Sequence, residues 1–143
     1  MSNNIAEVKT EPKAVTIARA HAETLYKGDA TKMRSLLAED VHYTLLNTMP
    51  SIPGMMNFPG MDNTGIENFM RDVMSGPPDW IVPGSTRTLQ SIGDDQRALL
   101  VITFESALGP NRTKMKIVAA RHYMVNEKGK IQREQVILFP LAN

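Results

Sequence analysis

Gly28-Asp29-Ala30-Thr31-Lys32-Met33-Arg34-Ser35-Leu36-Leu37-Ala38-Glu39-Asp40-Val41 holds the signals that decide the fold. Gly28 suits the left-handed position that follows a helix, and Asp29 is a good cap for the next one. Met33, Leu36 and Leu37 form an apolar stripe at helical spacing before Asp40 interrupts it. The stretch therefore reads as a helix end, a tight break, a short helix from about Ala30 to Ala38, and a strand from Val41 to Leu46. Upstream, Thr10-Glu11-Pro12 opens the first helix, with Pro where its missing N–H costs nothing. Ala14, Ala18, His21 and Leu25 then recur at helical spacing, which sets His21 on or beside the buried stripe. Residues 1–10 are polar and read as a flexible terminus.

Downstream, Asn47 to Asp62 is rich in Pro, Gly and Met, and a long apolar loop of this kind suits a lid or pocket wall. The chain has ten Met against four Phe. Met49, Met55, Met56 and Met61 all fall in this loop, where their flexibility suits a bulky apolar ligand; high overall Met usage is the plainer explanation. Asn63-Thr64 caps a third helix carrying Ile66, Phe69, Met70, Val73 and Met74, which Ser75-Gly76-Pro77-Pro78 ends. The period then changes to two. Trp80–Ile92, Arg97–Leu108, Arg112–Val125 and Ile131–Phe139 read as four strands joined by Gly- and Asn-containing turns. Helices followed by an antiparallel meander give an α+β class, with residues 11–143 as one domain.

Composition narrows the function. The 143 residues are 42% hydrophobic, enough for one core. A net charge of +1 and the lack of a Lys/Arg-rich run argue against nucleic acid. There is no Cys, hence no disulfide or thiolate metal site. The three His are far apart and no pair has helical ligand spacing, so no metal is expected. No phosphate-binding Gly loop or nucleophile elbow occurs, so no cofactor is expected. Lacking a signal peptide and a membrane-length apolar run, the chain reads as cytoplasmic, with no membrane partner. The strands are apolar on both parities. One face takes the helices, and a homodimer through the outer sheet face would cover the other.

The helix, Gly-Asp, short helix, Leu-Leu-Ala-Glu-Asp-Val, strand pattern resembles the nuclear transport factor two-like, or SnoaL-like, superfamily. That resemblance implies a cone: three N-terminal helices on a strongly curved, mostly antiparallel sheet around an internal pocket. Polyketide cyclases, ketosteroid isomerases, limonene epoxide hydrolase and non-catalytic binding modules share it. In the resemblance to limonene epoxide hydrolase, Val101 to Ile131 lays alongside without a gap and Glu105 takes the place of a catalytic carboxylate. Thr103 and Val136 replace that family's arginine and second aspartate. Tyr43 matches its water-positioning tyrosine, with Asn47 or Thr48 as its asparagine. An epoxide hydrolase here would need a modified catalytic set. In the isomerase resemblance, the base position is Leu45, which takes no proton. The oxyanion-hole tyrosine falls on His21, and the oxyanion-hole acid on or near Arg121.

With Glu105 facing the pocket, strand alternation carries Val101 and Thr103 inward. Val118, Ala120 and His122 follow on the next strand, and Glu134, Val136 and Leu138 on the last. His122 and Glu134 would then sit opposite each other, a carboxylate tuning an imidazole. Glu105, His122, Glu134, His21 and Tyr43 are thus the candidate catalytic residues. Leu45, Asn47, Met49, Val101, Thr103, Val118, Ala120, Val136 and Leu138 are the candidate substrate contacts. The bland alternatives are a solvated His122, an exposed Glu134, and a Glu105–Lys116 ion pair across strands. The expected function is cofactor-free acid/base chemistry of isomerase, cyclase or dehydratase type on a polyketide- or terpenoid-like small hydrophobic molecule. A non-catalytic binding or accessory dimer of the same fold is the alternative.

Overall fold

The computed structural model describes residues 10–48, 60–74, 80–108 and 110–141. The terminal stretch that the sequence reads as flexible, residue 10 apart, and most of the Met-rich loop, Met49 included, lie outside the described residues. Among the described residues three helices, α1 (Lys13–Lys27), α2 (Ala30–Ser35) and α3 (Ile66–Val73), accompany six strands. These are β1 (Leu37–Asn47), β2 (Met61–Thr64), β3 (Arg87–Gly93), β4 (Arg97–Leu108), β5 (Thr113–Val125) and β6 (Ile131–Pro140). They form one open mixed sheet in the order β2-β1-β6-β5-β4-β3. Every pairing is antiparallel except that of β1 with β6. The fold class is α+β, as the pattern of helices and strands predicts.

The deciding stretch resolves close to its reading. Gly28 ends α1 in the left-handed region at φ 70°, and its N–H bonds back to Leu25 O. Asp29 caps α2 through Lys32 N. Here α2 ends at Ser35, not Ala38, and β1 begins at Leu37, not Val41. The cause is tertiary: Ile131 N donates to Leu36 O at 2.8 Å and Leu37 pairs with Ile131, so the β6 ladder captures residues whose local stripe is helical. Residues 61–64 add a strand to the β1 edge, and Gly65 at φ 105° turns the chain into α3. Asn63 therefore does not cap that helix. Trp80–Ser85 meets β4 through one isolated bridge and scattered hydrogen bonds instead of a continuous ladder, so β3 starts at Arg87 instead of Trp80.

Helix α1 lies on one face of the sheet. Its Ala14, Ala18 and Ala22 pack with Leu100, Ile102, Tyr123 and Ile131, all buried. Small residues along one helix face allow close approach to the strands, where larger β-sheet side chains fill the space. A second cluster of Phe104, Ile117, Ala119, Val136 and Leu138 lies along the same face of β4, β5 and β6.

Candidate functional site

The face toward the helices is fixed by register. Tyr43 pairs with Glu134, which pairs with Tyr123; in the next inward row, Leu45 pairs with Val136, which pairs with Arg121. Glu134 and Arg121 are thus diagonal neighbours on adjacent strands, a separation that long side chains bridge. Both are buried. Arg121 Nη1 donates to Glu134 Oε1 at 2.8 Å. From α1, His21 Nδ1 comes within 3.2 Å of Tyr123 Oη and 3.4 Å of Glu134 Oε2. With the imidazole proton on Nδ1, the ring points a donor toward these two oxygens. With it on Nε2, Nδ1 accepts from the Tyr123 hydroxyl.

His21, Tyr43, Arg121 and Glu134 line a cavity of about 390 Å³. Leu25 and Tyr26 of α1, Phe69 and Val73 of α3, Trp80, Ile81 and Phe104 supply much of its apolar wall. The Phe69 ring stands edge-on to both His21 and Tyr43, at centroid separations of 5.6 and 4.9 Å. Asp72 adds a second carboxylate to the lining. Its Oδ2 accepts from Tyr43 Oη and from Asn63 Nδ2 (2.7 Å), and Asn63 Nδ2 also reaches Tyr43 Oη at 3.2 Å. Asn63 thus binds two groups of the site.

Burial sets the protonation states. It lowers the His21 pKa, more than the Glu134 charge raises it, and Arg121 lowers it further, so the ring is neutral near pH 7. Burial also disfavours the Arg121 cation, but the Tyr26, Tyr123 and Glu134 oxygens outweigh this and raise its pKa. Tyr123 is pushed well above the ordinary phenol range, first by burial and then by the Glu134 charge. Burial and the bond to Asp72 push Tyr43 up to about 12. Asp72, with the Tyr43 hydroxyl on it, lies below the usual carboxylate range. Tyr43 therefore spends its one proton on Asp72. In this site it is a fixed strut rather than a ready acid.

Of the residues singled out from sequence, His21, Tyr43, Leu45, Glu134, Val136 and Leu138 line this cavity together. Glu105 and His122 do not. In β4 the inward parity is Leu100, Ile102 and Phe104; in β5 it is Ile117, Ala119, Arg121 and Tyr123. Glu105, Val101, Thr103, Val118, Ala120 and His122 therefore occupy the opposite sheet face. His122 bonds Gln135 Oε1 at 3.0 Å, and Glu105 is in register with Lys116. A parity shift of one residue carries a whole strand's side chains to the other face. The expected His122–Glu134 pairing is replaced by His122–Gln135 and Tyr123–Glu134. Asn47 pairs in register with Leu138 at the end of β1 and is not in the cavity wall.

Arg121 and Asp72 are the groups that sequence reasoning left out of the candidate set. Each carried a signal. Arg121 interrupts the apolar parity Ile117, Ala119, Tyr123, and Asp72 lies three residues past Phe69, on the side of α3 that turns inward. Among the described residues no cluster of three or more His, Asp or Glu could hold a metal ion, and no helix is long and apolar enough to cross a membrane.

No sequence-family model and no curated protein matches the chain. Solved structures do. A putative ketosteroid isomerase from Kribbella flavida superposes with a TM-score of 0.65 at 20% identity, over 92% of this chain and 81% of that one. An epoxide hydrolase/cyclase-like enzyme of pyran ring formation in the polyether salinomycin gives 0.58 at 17% identity, over 89% and 91%. A limonene-type epoxide hydrolase from Mycobacterium tuberculosis gives 0.59 at 13%, over 89% and 83%. The chain has the fold shared by ketosteroid isomerase-like, nuclear transport factor two-like and epoxide hydrolase-like proteins, the superfamily its sequence resembles.

Proposed function

We propose that this chain is a cofactor-free acid/base enzyme that acts on a hydrophobic small molecule of polyketide or terpenoid type inside the 390 Å³ cavity. One observation carries the reading: a buried carboxylate, Glu134, with one oxygen held by Arg121 and the other left without a hydrogen bond. Arg121 holds the Glu134 carboxylate in an apolar wall, and a carboxylate oxygen with a vacant lone pair is a base. Oε2 takes a proton from a carbon or oxygen of the substrate. The electron pair left behind becomes an enolate or alkoxide, which the Arg121 cation stabilises at short range. His21, neutral and next to Oε2, is placed to receive that proton or return it. Isomerisation, cyclisation and dehydration all share this first step. The isomerase and cyclase-like names among the fold neighbours add weight to this class of chemistry.

We further propose that the sheet's outer face binds a second copy of the chain. Leu46, Ile137 and Phe139 stand exposed there beside Leu99 and Ile92, continuous with Val101 and Ala120. Such a patch on a sheet face suits an interface better than solvent.

The test is deuterium exchange at the acidic carbon of a panel of enolisable apolar ketones, 2-tetralone among them, followed by NMR in D2O. Exchange above the buffer rate is expected from the native protein and from Glu105→Gln and His122→Ala. Glu134→Gln should lower it at least 100-fold, roughly the lower end of a general-base contribution. Equal exchange with and without Glu134 would sink the assignment.

A further inference from the structure

Five buried side-chain nitrogen or oxygen atoms have no hydrogen-bond partner among the described residues. Four of them belong to residues in the wall of one cavity: His21 Nε2, Tyr26 Oη, Arg121 Nε and Glu134 Oε2. Native interiors leave few such groups unpaired, and each asks for a partner. Arg121 Nε is a permanent donor, whereas the Glu134 carboxylate presents Oε2 as an acceptor. Tyr26 Oη serves as either, with the Arg121 guanidinium 5.8 Å from its ring centroid. The charges in the cavity lining also cancel: Lys27 and Arg121 against Asp72 and Glu134. An ion placed here would bring a charge that nothing balances.

We infer that the ligand of this cavity is an uncharged apolar molecule whose head carries a hydrogen-bond donor and an acceptor together, an alcohol, phenol or enol. Its O–H donates to Glu134 Oε2, and its oxygen accepts from Arg121 Nε or the Tyr26 hydroxyl. A carboxylate head is refused, because its charge would face Glu134. A plain ether or hydrocarbon of the same shape fits the apolar wall but leaves Glu134 unpaired. This rests on the reading of the cavity as a small-molecule site, and adds the chemical class that the site selects.

The experiment compares three probes with one carbon frame: 2-naphthol, 2-methoxynaphthalene and 2-naphthoate. Binding is read by calorimetry and by the emission of Trp80, the chain's single tryptophan and a wall residue. 2-Naphthol should bind about ten-fold or more tighter than the ether, the range for one hydrogen bond to a charged group. 2-Naphthoate should bind more weakly than either. Glu134→Gln leaves Arg121 without its counter-charge, so the order of naphthol and naphthoate should reverse. Tyr26→Phe removes one donor to the ligand oxygen without changing charge, and should weaken 2-naphthol and 2-methoxynaphthalene alike, keeping naphthol the tighter and the naphthoate order unreversed. It keeps the test decisive should Glu134→Gln not fold. Equal affinity for naphthol and ether, or preference for naphthoate in the native protein, overturns the head-group inference and leaves the small-molecule cavity standing. Failure of all three probes to bind removes both.

Discussion

Cutting one member of the Arg121–Glu134 pair should cost far more than replacing both. At 2.8 Å the attraction is about 6 kcal/mol with an effective dielectric near 20. Against this stands a desolvation cost of several kcal/mol for each ion, since both side chains are buried. The two nearly cancel, so the intact pair is worth little beyond an apolar pair of similar volume. Arg121→Met alone, however, leaves the Glu134 carboxylate buried without its cation, with only a neutral His21 beside it. That variant should lose about 3–5 kcal/mol, and Glu134→Leu a similar amount for the mirror reason. The double variant Arg121→Met/Glu134→Leu should return to within about 2 kcal/mol of the native protein. Urea unfolding at neutral pH, followed by circular dichroism and Trp80 emission together, measures all four corners of the cycle. The coupling between the two side chains should then be at least about 4 kcal/mol. A double variant that costs the sum of the singles would refute it. In that case each group is satisfied on its own, and the pair is not what holds Glu134 in place.

His21 offers a pH signature. Its folded pKa lies below the unfolded value near 6.5, so the unfolded chain takes the proton first. The stability from a neutral buried ring is therefore complete above about pH 6.5 and lost as pH falls below it, by up to ~1.4 kcal/mol per unit. Subtracting the unfolding curve of His21→Gln should isolate that slope between about pH 7.5 and 5.5, and parallel curves would contradict it. Gly28→Ala and Gly93→Ala should separate strain from collision. A Cβ at Gly28 meets nothing within 4 Å, so only the left-handed backbone penalises it, by roughly 1–2 kcal/mol. At Gly93 a Cβ would lie 2.3 Å from Arg97 O, within backbone rather than a flexible tip. That variant should be the less stable of the two in thermal melts, and the reverse order would count against the β3–β4 register. Ile137→Arg, on the outer sheet face, should shift the sedimentation coefficient from dimer to monomer at micromolar concentration. An unchanged species would remove the outer face as the interface.

What the sequence makes legible follows from the range of the interactions involved. Gly28, Asp29 and the α1 stripe are local signals, and they place His21 on the buried side, where it lies. The last strand also reads correctly, because Glu134, Val136 and Leu138 alternate with the exposed Gln135, Ile137 and Phe139. In β4 and β5 both parities are apolar, so alternation alone has no means of choosing a face. Anchoring on Glu105 then selects the wrong one. A lone buried cation is costly, and what offsets that cost for Arg121 is the diagonal contact with Glu134 on another strand, which has no trace in local spacing. The same holds for Leu36-Leu37-Ala38, helical by pattern and claimed by a strand about a hundred residues away. Asp72 needs both Tyr43 and Asn63 to make sense, one on β1 and one on β2.

The parallel pairing of β1 with β6 carries a consequence for synthesis. β6 sits between β1 and β5, joining a β2-β1 pair on one side to a β5-β4-β3 unit on the other. While a ribosome has released only the residues up to the β5–β6 turn, these two pieces share no strand, and β1 waits with an unpaired edge. Contacts so distant in sequence slow assembly and expose strand edges meanwhile. The strand that closes this gap is also the one that carries Glu134. A nascent chain thus gains its complete sheet and its buried carboxylate in a single event, and stalled or truncated translation products have neither.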